Sequence, residues 1–180
     1  MTDPLDQLVG LLDLEQIEVN LFRGFSPKER MVRVFGGQVL GQALVAASRT
    51  VEDREAHSLH GYFLRPGDPE IPIIYDVDRI RDGKSFTTRR VNGIQHGKAI
   101  FSMSVSYQIS EEGLDHQSTM PDVPMPEDLK SEQDLRADIM DKIPEKYRAW
   151  YSRERPVEIR PVNPHDPTDP PIRDAAKNVW

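Results

Sequence analysis

Two adjacent glycines, Gly36 and Gly37, begin the apolar segment VFGGQVLGQALVAASRTV at residues 34–51. At the start of a helix the backbone N–H groups are unpaired and carry the positive end of the helix dipole. Two such donors can bind an oxygen that gains negative charge during a reaction, as in an oxyanion hole. The alternative is that the glycines only let a loop turn tightly into a crowded helix. Both interpretations place Gly36, Gly37 and Gln38 in the first helical turn.

Histidine supplies a second candidate group. His57 and His60 are three positions apart in a predicted strand, so their side chains should point to opposite faces and make a poor metal pair. His57 would share a face with Leu59, Gly61 and Phe63, where it could act as a general base or as a polar contact. The alternative is a histidine that only satisfies a structural hydrogen bond. No metal site is predicted.

Three arginines, Arg65, Arg89 and Arg90, are candidates for binding phosphate groups. The planar guanidinium matches a phosphate through two parallel hydrogen bonds. The alternative is that they are solvated charges at strand ends, paired with acidic residues such as Asp68, Asp76 or Asp78. Both possibilities remain open from the sequence.

The elements that must position these residues follow from the pattern of apolar side chains. Residues 4–14 predict a helix with Asp3 as its cap, residues 17–24 a short strand, and residues 34–51 a buried helix in which Gly41 packs closely against another backbone. Four strands joined by short turns follow Glu55, and the last, AIFSMSVSYQ, alternates apolar residues with serine. This order predicts an α+β fold in which an antiparallel sheet wraps around one central helix.

Composition limits the class of protein. The 180 residues carry a net charge of −7, which disfavours a nucleic-acid-binding surface. The absence of cysteine excludes a disulfide framework and a thiolate nucleophile. No stretch approaches a membrane span and no signal peptide is recognised, so a cytoplasmic location without membrane contact is expected.

Charge and proline content change near Glu111. There are 14 acidic and 13 basic residues before it, and 16 acidic and 10 basic from it onward, with 10 of the 15 prolines. This change predicts a compact domain at residues 10–110 and an interrupted connecting segment at 111–175. Within that segment we expect two short helices opened by prolines and a possible strand at PVEIRPV.

Several longer motifs occur together in this order: LFRG, VFGGQVLGQAL, HSLHGYFLRPGD, IIYDVDRIRDGKSFTTRRV and QHGKAIFSMSVSYQ. With HQSTMP, RPVEIRPV and the terminal NVW, they make the chain resemble the N-terminal half of the type II, TesB-like acyl-CoA thioesterases. The resemblance implies a double hotdog, in which each of two repeats is a long helix wrapped by an antiparallel sheet. Residues 176–180 would then be the truncated start of the second repeat.

The resemblance also implies hydrolysis of fatty acyl-CoA to free acid and CoA, without a metal or other cofactor. In that family an Asp, a Ser or Thr, and a Gln activate water, and all three lie in the second repeat, so none maps onto this chain. The implied partners are acyl-CoA and either the missing repeat or a second copy in a homodimer. Gly36 and Gly37 would face the thioester oxygen, Gln38 could bond across the repeat interface, and the arginines could bind the CoA phosphates.

Two other functions are compatible with such a fold. One is a non-catalytic module that binds acyl-CoA or a protein partner. The other is a different hotdog chemistry such as enoyl-CoA hydration, which requires an Asp and His pair near the central helix, and residues 36–50 contain neither. For the chain alone, the sequence predicts little or no hydrolysis.

Overall fold

The computed structural model describes residues 3–27, 32–167 and 169–180. Its contacts divide the chain into two compact units, one of Gln7–Leu114 and one of Asp115–Trp180 together with Met1–Asp6. The first unit holds the sheet and the long helix, and the second holds short helices.

Two helices belong to the N-terminal part of the chain. Helix α1 spans Pro4–Leu12, and the backbone N–H of Leu5 donates to the Asp3 carboxylate at 2.7 Å, as the predicted cap requires. Helix α2 spans Gly36–Ser48. The prediction that Gly41 of α2 meets another backbone is wrong, because a Cβ there would lie 3.2 Å from a side-chain methyl of Leu12. Glycine instead makes room for the end of α1.

Six strands form one antiparallel sheet in the order β1-β2-β4-β5-β6-β3. They span Glu15–Glu18, Leu21–Gly24, Glu55–Phe63, Ile73–Asp82, Phe86–Gln95 and Lys98–Gln108, numbered β1 to β6 along the chain. Helix α2 packs against five of them, β2 to β6. This arrangement confirms the predicted antiparallel sheet around a central helix.

The segment IEVNLFRG is two strands of a hairpin, β1 and β2, and the prediction of one strand is wrong. Asn20 adopts a positive φ of 67°, a left-handed conformation that asparagine tolerates better than most residues. The chain reverses there. Glu15 of β1 lies opposite Arg23 of β2 in the antiparallel ladder, and their side chains form an ion pair at 2.6 Å.

The core lies between α2 and one face of the sheet; we call this face concave and the opposite face convex. Alternation along β6 buries its odd-numbered residues from Phe101 to Tyr107 and turns Ser102, Ser104 and Ser106 outward. Small residues on α2 let its backbone approach the sheet closely. The fully buried contributors are Ala43, Ala46 and Ala47 from α2 and Phe22, Ile73, Tyr75, Val91, Phe101, Met103, Val105 and Tyr107 from the sheet.

Strand β3 lies at one edge of the sheet and pairs only with β6 among the described strands. Eight of its nine residues are exposed, including the large side chains of Leu59, Tyr62 and Phe63. An uncovered edge strand with apolar side chains offers unpaired backbone groups to another strand.

The second unit contains helices α3, Glu132–Asp138, and α4, Glu145–Tyr151, with single 3₁₀ turns at Pro126–Asp128 and Met140–Lys142. Helix α3 begins at the reciprocal cap of Ser131 and Asp134, so its predicted opening by proline is wrong. The segment PVEIRPV forms no regular strand; its end pairs by an isolated bridge between Pro161 and Val179.

Among the described residues, none of the helices combines the length and apolar character needed to span a membrane.

Candidate functional site

Two phenylalanine rings explain the paired glycines at the start of α2. A Cβ on Gly36 would lie 3.0 Å from the ring of Phe63, and a Cβ on Gly37 would lie 2.5 Å from the ring of Phe35. Neither glycine has a positive φ. Glycine is therefore needed here for the close approach of the rings, and not for a left-handed turn.

The first two backbone amides of α2 have no hydrogen-bond acceptor among the described residues. Phe35 is the N-cap residue, has extended backbone angles and forms no side-chain cap. Its carbonyl accepts from the amides of Gln38 and Val39, whereas the amides of Gly36 and Gly37 donate to no acceptor within the described residues. Two unpaired N–H groups at the positive end of a 13-residue helix can bind an anionic oxygen.

Gln38 and Gln42, one helical turn apart on α2, hold the segment that follows β2. The side-chain amide of each donates to the Phe25 carbonyl at 3.0 Å, and Gln38 also donates to the Ser26 hydroxyl at 3.2 Å. Gln38 thus has partners within its own unit. Two glutamines one helical turn apart in an apolar run are a sequence signal for this role, and sequence reasoning did not use it.

A cleft of about 360 Å³ lies beside the start of α2, and we call it the α2 cleft. Its volume falls in the range of small-molecule sites. Arg65 is fixed at the cleft because its Nη1 donates to the Ala99 carbonyl at 2.6 Å. The described lining residues are Arg33, Val34, Gly36, Val39, Phe63, Leu64, Arg65, Pro66, Gly67 and Ile100.

His57 does not share a face with Leu59 and Phe63, and that prediction is wrong. The β3–β6 register shifts between Ala56 and Ser58, and this bulge turns His57 to the convex side of the sheet. There its Nε2 lies 2.8 Å from the Ser106 hydroxyl, and its ring contacts Phe86 at a centroid distance of 5.7 Å. His57 therefore lies on the side of the sheet away from α2 and its cleft.

Arg89 and Arg90 are neighbours in β5 with opposite environments. Arg89 is only 1% exposed, and its guanidinium donates to the carbonyl and hydroxyl of Thr50 and to the Asp82 carboxylate. The hydrogen bond from Arg89 lowers the pKa of Asp82 below its ordinary value. Arg90 is exposed on the convex face opposite Asp78 in β4.

The residues predicted from the sequence therefore lie in three places. Gly36, Gly37, Gln38 and Arg65 surround the start of α2, His57 and Arg90 lie on the convex face, and Arg89 lies in the core with its donors engaged. Arg89 is consequently not part of the proposed site. Sequence reasoning did not find Phe63 or Arg33, because their contribution depends on contacts between separate segments, and it did not use Phe35, whose ring packs on Gly37 two positions away.

The comparisons with known proteins agree with this fold. A family model described as the acyl-CoA thioesterase N-terminal domain matches residues 26–108. The chain is 44% identical over 161 residues to acyl-CoA thioesterase 2 of Haemophilus influenzae, which covers 89% of this chain and 56% of that protein.

Solved structures give the same result. The chain is 51% identical to the acyl-CoA thioesterase II TesB2 from Mycobacterium marinum, with a TM-score of 0.61 over 67% of this chain and 45% of that one. A protein with a hot dog fold from Alicyclobacillus acidocaldarius matches with a TM-score of 0.66 at 20% identity, covering 91% of this chain and 56% of that one, and supports the fold alone.

The chain spans about half the length of the relatives it matches. Residues 26–108 match the model of the acyl-CoA thioesterase N-terminal domain, and the resemblance of this chain to the N-terminal half of the type II, TesB-like acyl-CoA thioesterases, inferred from its motifs, is confirmed.

Proposed function

We propose that this chain is the first hotdog repeat of an acyl-CoA thioesterase and acts together with a second repeat. The reaction adds water to the thioester carbonyl and releases a fatty acid and CoA. The observation that carries the proposal is the uncovered edge of β3, with its exposed Leu59 and Phe63, next to the α2 cleft. A second repeat placed at this edge would cover the apolar side chains and enclose the start of α2.

The residues of this chain would bind and orient the substrate. The amides of Gly36 and Gly37, which have no acceptor among the described residues, can stabilise the oxygen that becomes negative when water attacks the carbonyl. Arg65 is the candidate for a CoA phosphate near the cleft, and Arg90 is a candidate only if CoA extends over the convex face. The Asp, Ser or Thr, and Gln that activate water in the family would come from the second repeat.

The domain boundaries are part of the proposal. Residues 10–110 would form the first repeat, residues 111–175 the connection, and residues 176–180 the start of the second repeat. This last assignment is supported by the extended segment 178–180, where Trp180 and Arg160 exchange backbone hydrogen bonds at 3.0 Å. A cytoplasmic location and a role in fatty acid metabolism belong to the same proposal.

Hydrolysis should require a second repeat. We expect the 180-residue chain to leave decanoyl-CoA unhydrolysed, and a fusion at Trp180 to the second half of the Haemophilus influenzae thioesterase to turn it over at about 1 s⁻¹ or faster. Release of CoA can be followed with a thiol reagent, with each protein without substrate as the blank. The intact relative is the positive control. Turnover of that order by the isolated chain, or an inactive but folded fusion, would contradict the proposal.

The isolated chain should form a symmetric dimer through β3. Two copies of an edge strand can pair around a two-fold axis and bury each other's Leu59 and Phe63. Light scattering at micromolar concentration should therefore give twice the chain mass of 20.6 kDa. Phe63→Lys should weaken the dimer, whereas Lys98→Ala at the β5–β6 turn should not. A monomeric wild-type chain with cooperative unfolding is the opposing result.

A second candidate function is a module that binds acyl-CoA without hydrolysing it. It is favoured by the α2 cleft, because all of the described lining residues belong to this chain and none has to come from a second repeat. Binding of a non-hydrolysable acyl-CoA by the isolated chain, together with an inactive fusion, would select this function.

A further inference from the structure

We propose that the α2 cleft binds a fatty carboxylate, an aliphatic chain with an anionic head, in this single chain and without a second repeat. The proposal concerns an equilibrium binding site and does not rest on hydrolysis. Within a complete thioesterase the same ligand class is the acid product, and Arg65, the candidate for a CoA phosphate, would bind the product carboxylate after CoA has left.

The walls of the α2 cleft fit an aliphatic chain. Val34, Val39 and Ile100 form its buried apolar surface. Phe63 and Leu64 lie at its opening and are 58% and 49% exposed. Exposed large apolar side chains around a concave site are typical of ligand-binding grooves. An aliphatic ligand would remove this surface from water.

The charge at the α2 cleft selects an anionic head. Its described lining contains two guanidinium groups, Arg33 and Arg65, and no acidic side chain, in a chain of net charge −7. The hydrogen bond to the Ala99 carbonyl engages one N–H of Arg65, so four of its five donors have no partner among the described residues. A guanidinium can bind a carboxylate, as it can a phosphate, through two parallel hydrogen bonds.

The α2 cleft is already formed by contacts within the sheet unit. The Val34 amide donates to the Gly67 carbonyl at 3.0 Å, and the amides of Leu64 and Arg65 donate to the Ile100 carbonyl at 2.8 and 3.2 Å. A Cβ on Gly67 would lie only 3.1 Å from Val34. These bonds hold three separate segments around the site, so little ordering should accompany binding.

Calorimetry on the 180-residue chain tests this site, at a concentration at which light scattering shows the chain to be monomeric, because the predicted dimer would cover Phe63. Decanoate, held below its micelle concentration, should bind, whereas decan-1-ol and acetate should bind at least about tenfold more weakly, because each lacks either the charge or the chain. Arg65→Gln and Arg33→Gln should each weaken decanoate binding by about tenfold. Arg65→Lys keeps the charge but cannot form the two parallel hydrogen bonds, so its affinity should lie between those of wild type and Arg65→Gln. Arg81→Gln, exposed in β4 and outside the described lining of the cleft, is the matched control and should bind as wild type does.

Several outcomes would overturn the proposal. They are no decanoate binding, equal binding of decan-1-ol, or wild-type affinity in both glutamine variants. Binding of a non-hydrolysable decanoyl-CoA without binding of decanoate would assign the guanidinium groups to CoA phosphates and would also overturn it. Hydrolysis by the fusion protein is measured separately, so an inactive fusion with intact decanoate binding would reject the thioesterase role and leave the carboxylate site.

Discussion

Replacing Arg89 with methionine should lower the free energy of unfolding of the sheet unit by about 3 kcal/mol. The buried guanidinium joins the end of α2 to the β4–β5 hairpin, because it donates to the Thr50 hydroxyl and carbonyl at 2.8 and 3.0 Å and to the Asp82 carboxylate at 2.6 Å. Methionine fills similar space but leaves buried acceptors without a donor. Asp82 is partly exposed and can regain water, which keeps the loss at the lower end of the range for a broken buried pair.

The adjacent Arg90 provides a matched control. Arg90→Met removes the same group from the convex face, where Arg90 forms no ion pair with any described residue, and should change stability by less than about 0.5 kcal/mol. Urea unfolding followed by far-UV circular dichroism measures the difference. The fluorescence of Trp150 and Trp180 reports the second unit separately, since both lie in it. Equal losses of stability in the two variants would mean that the buried contacts of Arg89 stabilise the fold no more than an exposed arginine does.

The same pair gives a test in acid. The Arg89 hydrogen bond lowers the pKa of Asp82 from its ordinary 3.8 in the folded state, so this contribution is present above that pH and is lost as the pH falls through the lower folded pKa. The stability difference between wild type and Arg89→Met should therefore narrow below pH 3.8. If the stability difference between the two proteins stays constant as the pH falls below 3.8, the ion pair with Asp82 does not contribute to the effect of Arg89.

Local patterns predicted strands β3 to β6 of this fold well. Serine alternates with apolar residues throughout β6, and the turn after β5 uses His96 and Gly97 with φ of 49° and 66°, which is the geometry of a tight hairpin. Helix α2 was predictable because small apolar residues recur around its circumference. The alternating serines of β6 and the turn at His96 and Gly97 were predictable because in both cases neighbouring residues decide the conformation.

The failed predictions depend on contacts between distant segments. One extra residue in β3 puts His57 on the convex face, and the sequence carries no visible sign of that bulge. Arg89 lies two residues before Val91, and both side chains are on the core face of β5. A buried guanidinium is costly without partners, so the residue type alone predicted an exposed position. Its partner Thr50 is 39 residues away in the chain. The candidate site has the same limit, because Phe63 of β3 meets Gly36 of α2 only after folding.

Replacing Gln42 with leucine should destabilise the sheet unit by about 3 kcal/mol. The Gln42 side chain is fully buried and donates to the Leu11 carbonyl at 2.6 Å and the Phe25 carbonyl at 3.0 Å. Its oxygen accepts from the Tyr75 hydroxyl at 2.8 Å. Leucine has the right volume but leaves the buried Tyr75 hydroxyl and the Leu11 carbonyl unpaired. Gln38→Leu is the control, since Gln38 is only half-buried, and should cost less than about 1 kcal/mol.

A double-mutant cycle with Tyr75→Phe tests the reason for that loss. Burial raises the pKa of the Tyr75 phenol, so it remains a neutral donor that needs an acceptor. Tyr75→Phe alone should cost about 1 kcal/mol, because it removes one hydrogen bond and keeps the packing. In the Gln42→Leu background the same change removes an unpaired hydroxyl and should be neutral or stabilising, which gives a coupling of about 1 kcal/mol or more between the two side chains. Additive losses would instead attribute the effect of Gln42→Leu to the Leu11 and Phe25 carbonyls, and the Tyr75 hydroxyl would then have another acceptor in solution.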